Sequence, residues 1–183
     1  MVNTLLIVGI IVGVIVLYII IAFNVLIALR NRVKNAWSQI DVQLKRRYDL
    51  IPNLMDTVKG YMKHEREVLT TITNARANLM KGDIHKRAEA SDQLTNAFKS
   101  LFAVAENYPD LKASDNFKML QEELSGTENK ILYARQFYND NVMDFNTKIQ
   151  VFPTNMFARI LGFKEEEFFK TEGKEREPVK VKF

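Results

Sequence analysis

The first 29 residues carry no Asp, Glu, Lys or Arg, and this absence constrains the fold more than any other feature. All 26 basic and 22 acidic side chains follow Leu29. The mean hydropathy of −0.15 therefore averages a very apolar start with a strongly charged remainder. From Leu5 to Leu29 the chain reads LLIVGIIVGVIVLYIIIAFNVLIAL, 25 residues of which only Asn24 is strongly polar. As a helix this stretch spans roughly 37 Å at ~1.5 Å per residue, more than the ~30 Å hydrocarbon core of a bilayer. A single transmembrane helix is expected. A cleaved signal peptide would want a basic start, a shorter apolar core and a small-residue cleavage site. Here the start is Met-Val-Asn-Thr and the run ends at Leu29-Arg30, so the segment reads as a retained anchor.

The flanks set the expected orientation. No basic side chain precedes the span, whereas Arg30, Arg32 and Lys34 follow it, then Lys45, Arg46 and Arg47. The positive-inside bias places the large C-terminal part in the cytoplasm and residues 1–4 outside. Gly9 and Gly13 form a Gly-x-x-x-Gly pair, which lets two membrane helices approach closely, and Asn24 can hydrogen-bond between helices near one membrane face. The plainer alternatives are a glycine content ordinary for membrane helices and an Asn24 at the interface.

Beyond the anchor, no Gly or Pro interrupts the chain between Val14 and Ile51. Apolar residues recur at Val33, Trp37, Ile40, Leu44, Tyr48, Ile51, Leu54 (or Met55) and Val58, one face of an amphipathic helix. The membrane helix is expected to run unbroken into the following domain as a stiff stalk. Pro52 should kink it, and the pattern should then resume through Met62, Leu69, Ile72 and Leu79 to Lys81-Gly82-Asp83. A second helix is expected over Ala88 to Ala105, ended by Glu106-Asn107-Tyr108-Pro109-Asp110. Ser114 or Asp115 should cap a third of about 36 residues, whose face reads Phe117, Leu120, Leu124, Ile131, Tyr138, Val142, Phe145 and Ile149. Pro153 should end it, with a short fourth helix from Thr154 to Leu161 closed by Gly162. The fold class is all-α: a single transmembrane helix (5–29) continuing into a long antiparallel helical bundle (30–163) of three long helices and a short fourth. Residues 164–183 form a charged C-terminal tail, extended from Pro178 to Phe183 and either mobile or docked on a partner.

Catalytic and metal chemistry finds little purchase. With no Cys, disulfides, thiolate zinc sites and cysteine nucleophiles are excluded. The two histidines are His64 and His85. His64-Glu65-Arg66-Glu67 opens like a zincin motif, but Val68 stands where its second histidine belongs. Di-iron bundles need Glu-x-x-His pairs, and Tyr61 and Gly82 occupy those positions here. Phosphate-cradling glycine loops, nucleophile elbows and aromatic-plus-basic RNA signatures are missing. No enzyme, cofactor, metal or nucleic-acid partner is expected.

Two polar or aromatic groups are candidate sites instead. Glu128, Arg135, Asn139 and Asn146 crowd the third helix beside its apolar face. They form either an interhelical polar seam that locks register between helices or subunits, or a solvated flank with ordinary ion pairs. Lys45-Arg46-Arg47 reads as a solvated face, well beyond the ~8–10 Å Debye length from the membrane. Phe157, Phe163, Phe168 and Phe169 surround Glu165-Glu166-Glu167. This cluster is too apolar for a free tail, so it folds back on the bundle or makes a subunit contact.

Several stretches resemble the LemA family. They are Ala36-Trp37-Ser38-Gln39-Ile40-Asp41-Val42-Gln43-Leu44 leading into Arg46-Arg47-Tyr48-Asp49-Leu50-Ile51-Pro52-Asn53-Leu54, then Ala105-Glu106-Asn107-Tyr108-Pro109-Asp110-Leu111. Thr127-Glu128-Asn129, Ala134-Arg135, Tyr138-Asn139, Phe145-Asn146 and Phe152-Pro153 follow. The resemblance implies a bacterial inner-membrane protein with a short outer N-terminus and a cytoplasmic helical bundle. It also implies kinship with domains found in proteins associated with magnetosome membranes. It carries no catalytic residues. Two functions are in play: a homo-oligomeric scaffold that organises or shapes the bilayer, with lipid and further copies as partners, or a signalling or stress-response adaptor that recruits a soluble protein through the bundle.

Overall fold

The computed structural model describes residues 2–62 and 64–170. Among these the only regular elements are helices: α1 (Val2–Lys59), α2 (Arg66–Leu79), α3 (Ile84–Ala105), α4 (Pro109–Ala113), α5 (Asp115–Gln150) and α6 (Thr154–Ile160). The expected extended segment from Pro178 to Phe183 lies outside the described residues. Two compact units divide the chain, and α1 and α5 contribute to both. The first comprises the chain up to Trp37 together with Phe137–Glu167; the second comprises Ser38–Gln136 together with the chain from Phe168.

The first unit holds the apolar part of α1. Its β-branched Val and Ile residues are indifferent helix formers in water. In hydrocarbon, however, a helix is the way a single segment satisfies its own backbone. This helix is long and apolar enough to cross a membrane. From Leu5 to Leu17 every side chain is exposed. Ala22, Leu26, Val33 and Ala36 are buried, at spacings of four, seven and three, so one face of the helix becomes covered beyond Leu17. Val142, Phe145, Asn146 and Ile149 of α5 and Thr154 and Ala158 of α6 are the other buried positions of this unit, together with Tyr138.

The second unit is a bundle of segments of α1, α2, α3 and α5, with the short α4 between α3 and α5. Its core takes Ile40, Leu44, Ile51, Leu54 and Val58 from α1, and Ile72, Ala75 and Leu79 from α2. Leu94, Phe98 and Leu101 come from α3, and Phe117, Leu120, Leu124 and Ile131 from α5. The α2–α3 turn depends on Gly82, whose φ of +83° is readily adopted only by glycine; a Cβ there would lie 2.9 Å from Lys86 Cδ. Asp83 caps α3 by accepting from the Lys86 amide at 2.9 Å. Side-chain pairs order α3 and α5 antiparallel: Asp92 meets Arg135, Thr95 meets Glu128, and Phe102 meets Phe117.

The helix boundaries depart from expectation at three places. The pattern expected to continue from Val58 to Leu79 is interrupted: α1 closes on a tightened turn, with Tyr61 and Met62 amides both donating to the Val58 carbonyl, and α2 starts afresh at Arg66. Helix α3 begins at Ile84 rather than Ala88, as the Asp83 cap dictates. Pro109, expected to stop a helix, also starts one, because α4 carries it in the first turn where its missing N–H is no loss.

Pro52 lies inside α1 and cannot donate to the Tyr48 carbonyl one turn back. Arg76 of α2 supplies the missing donor: its Nε bonds the Tyr48 carbonyl at 3.1 Å, and its guanidinium stacks 3.9 Å from the Tyr48 ring centroid. Arg76→Ala should therefore lower the stability of the full chain in detergent by about 1–3 kcal/mol. With Pro52→Ala in place, residue 52 can bond Tyr48 itself, and the same change should cost distinctly less. Equal costs in thermal melts of the two backgrounds would show that Arg76 does not act as the substitute donor.

Candidate functional site

In the second unit polar residues of α3 and α5 converge on a cation of α1. Arg47 is 1% exposed, on the same face as Ile40, Leu44, Ile51 and Leu54. Its guanidinium pairs with Glu128 of α5 and donates to the Ser91 carbonyl at 3.1 Å and to Thr95 Oγ1 at 3.3 Å. Thr95 in turn donates to Glu128 Oε1 at 2.9 Å, so α1, α3 and α5 meet in one network. Burial lowers Arg47 to about 10, with Asp92 pulling it up and Arg135 pushing it down. At neutral pH it remains a cation, and a buried cation requires its partner. The reading of Lys45-Arg46-Arg47 as a solvated face is thus corrected at its last member. Lys45 and Arg46 are exposed and pair with Asp49 and Glu123, whereas Arg47 sits in the core because it holds the seam position between Leu44 and Ile51.

Arg135 lies on α5, half-buried, bonded to Asp92 at 2.6 Å and 5.0 Å from the Phe169 ring centroid. Phe169 is 1% exposed, so its ring is covered within its own chain. Phe168 is half-buried. His85 meets the Lys170 carbonyl through Nδ1 at 3.1 Å, and His64 is exposed. Among the described residues no three His, Asp or Glu side chains converge as metal ligands would.

In the first unit, the acidic triplet is strapped along α5. Gln150 donates to the Glu165 carboxylate at 2.8 Å. Asn146, 7% exposed, clasps the Glu166 backbone at two points, donating to its carbonyl and accepting from its amide, both at 2.9 Å. Tyr138 donates to the Glu167 carbonyl at 2.8 Å. Burial first, then Glu166 and Glu167, raises the Tyr138 phenol to about 12. Asn139 is half-buried on the same helix. The predicted seam residues are therefore not one cluster: Glu128 and Arg135 serve one unit, and Asn146 serves the other. Sequence reading missed the strap because its partners are backbone groups of an irregular segment, which leave no periodic signal.

The strap returns the chain to the apolar helix. Arg30 lies 3.8 Å from Glu166. Phe163 packs edge-on between Phe23 and Phe145, with centroids 6.0 and 6.3 Å away. Phe157 packs on Tyr18 at 6.1 Å, and the Tyr18 hydroxyl is 2.9 Å from Thr154 Oγ1. Gly9 and Gly13, by contrast, have open space around them, and Asn24 turns its amide back to the Ile20 carbonyl at 3.0 Å. These contacts hold elements of the unit in place.

Residues 36–183 match the LemA family. This chain belongs to the LemA family. The LemA-family protein is 34% identical to Protein LemA of Metamycoplasma hominis over 158 residues, which cover 85% of this chain and 72% of that one. It is also 25% identical, over 174 residues, to magnetosome protein MamQ 2 of Paramagnetospirillum magneticum; the match covers 80% of this chain and 64% of the relative, less than two thirds of its length. A shorter match of 74 residues, 32% identical, links it to magnetosome protein MamQ of Magnetospirillum gryphiswaldense, over 40% of this chain and 27% of that one. The family match starts at Ala36 and so includes Arg47, Glu128, Asn146 and the strap.

Two measurements test these ties. Glu128→Ala leaves the Arg47 charge buried without its carboxylate. It should cost about 2–3 kcal/mol, below the ~3–5 kcal/mol of a fully enclosed pair because the Glu128 side chain is 36% exposed. The double change Arg47→Met with Glu128→Leu should recover most of that loss in the same thermal melt. Tyr138 supplies a pH test. Its phenol stays protonated in the folded chain up to about 12, whereas in the unfolded chain it ionises near its ordinary value of 10.0. The unfolded state thus binds fewer protons, and stability falls as pH rises from about 10 to about 12. Tyr138→Phe should flatten that fall relative to the native chain; identical slopes would contradict the assignment.

Proposed function

We propose that this LemA-family chain is a non-enzymatic, membrane-anchored scaffold that assembles with itself and organises or shapes the bacterial inner membrane. The observation that carries the reading is the Leu5–Leu17 stretch of α1, exposed on every side, with Gly9 and Gly13 open one turn apart. Lipid covers most of such a surface, and a small-residue stripe admits a second helix at close range. The basic flank at Arg30, Arg32 and Lys34 favours a cytoplasmic bundle with the N-terminus outside. The MamQ relatives, named as magnetosome proteins, support a role at membranes.

The chain contains no native cysteine, so single cysteines report contacts directly. In inner-membrane vesicles, oxidation of Gly9→Cys or Gly13→Cys should yield a disulfide-linked dimer, and Ile11→Cys on another face should yield several-fold less. The variant Gly9→Leu with Gly13→Leu should lower the subunit number measured by native mass spectrometry from nanodiscs. A native chain that stays monomeric in lipid and leaves vesicle shape unchanged would contradict the scaffold and favour the adaptor, which needs neither property.

A further inference from the structure

We propose that the α5–α6 corner, Val151 to Leu161, is a membrane-inserting wedge that places Phe152, Met156 and Ile160 in the bilayer leaflet at the C-terminal end of the span. The proposal rests on the reading of α1 as a membrane helix, and its surface is one that the scaffold reading leaves unused.

The placement follows from contacts within one unit. Helix α6 lies beside the apolar part of α1, through Thr154 and Phe157 on Tyr18 and through Phe163 on Phe23. A hydrocarbon core of ~30 Å needs about 20 helical residues, which counted from Leu5 end near Asn24. Tyr18 then lies about 9 Å inside the boundary, and the corner lies with it. Keeping the corner in water would confine the span to Leu5–Leu17, 13 residues or about 20 Å, too short for that core.

The chemistry of the corner fits that depth. Thr154 and Ala158, four apart, are the buried face of α6. Met156 and Ile160, also four apart, point away from it and are 58% and 82% exposed; Phe152 is 78% exposed. Asn155 and Arg159 make a third, polar face, also exposed, from which the long Arg159 side chain reaches headgroup phosphates. An apolar face, a polar face with a cation and a position at the end of a span are the properties of an interfacial segment. Occupying one leaflet and not the other, such a wedge would give a shaping scaffold its asymmetry.

The test uses the full-length chain in vesicles of phosphatidylethanolamine and phosphatidylglycerol, with an environment-sensitive fluorophore on one introduced cysteine. Positions are Met156→Cys and Ile160→Cys in the corner, Ile11→Cys in the span and Lys99→Cys in the bundle. Labels at 156 and 160 should be blue-shifted, and lipids with a nitroxide high on the acyl chain should quench them at least threefold more than the label at 99. Iodide quenching at 160 equal to that at 99, with the label at 11 quenched by lipid, overturns the wedge and leaves the anchor standing. Shielding of 160 from both iodide and lipid nitroxide overturns it in favour of a covering protein surface, such as a second copy. A label at 11 that lipid does not quench overturns the anchor, and the wedge with it.

Discussion

Everything in this structure answers to a helix whose first turns find no partner among the described residues of their own chain. From Leu5 to Leu17 the side chains are exposed all round, and they are almost all Leu, Ile and Val. At ~25 cal/mol per Å2 of apolar surface, leaving these eleven Leu, Ile and Val side chains in water costs far more than any polar tie described above contributes. Lipid is the solvent that removes the cost, and a helix satisfies the backbone within it. Beyond Leu17 the chain begins to cover the helix itself, with Thr154, Phe157 and Phe163 returning onto Tyr18 and Phe23. The cover supplied by the folded protein therefore begins inside the apolar stretch of α1, several residues before Leu29.

The polar ties then decide how the remaining helices are held. Their design differs between the two units. In one, a buried cation gathers three helices: Arg47 of α1 binds Ser91 and Thr95 of α3 and Glu128 of α5. In the other, neutral side chains of α5 bind the backbone of an irregular segment, as Asn146 does with Glu166 and Tyr138 with Glu167. The first device is sensitive to loss of either charge, because a lone buried guanidinium is strongly disfavoured. The second works like one rung of a sheet, satisfying peptide groups that would otherwise be buried without partners. Both families of contacts lie within the stretch that matches the LemA family.

Much of this was legible in the sequence, for identifiable reasons. Helix α5 spans the 36 residues that its apolar period outlines, from Asp115 to the turn before Pro153. The short last helix expected from Thr154 is α6, which starts there and is closed at Gly162, whose φ is +76°. What escaped detection lacks a periodic signature. The break between α1 and α2 is invisible because Val58, Met62 and Ile72 are buried on both sides of it, so the pattern looks continuous. Arg47 escaped because it is flanked by Lys45 and Arg46, although counting three from Leu44 and four to Ile51 places it on the core face. Arg76 escaped because its task, replacing the donor that Pro52 lacks, joins residues 28 apart in sequence.

The central claim is that α1 passes, within its apolar stretch, from turns that the described part of its own chain leaves uncovered to turns with one covered face. A spin-label scan of single cysteines from Leu5 to Leu29, in the full-length chain in a bilayer, reads this directly through oxygen and polar-relaxant accessibility. The account predicts high oxygen accessibility to Leu17 at the positions away from the Gly9 and Gly13 stripe, then a helical modulation from Tyr18 onward with minima at Ala22 and Leu26. Uniform lipid accessibility to Leu29, or accessibility to the polar relaxant anywhere between Ile7 and Leu17, would contradict it.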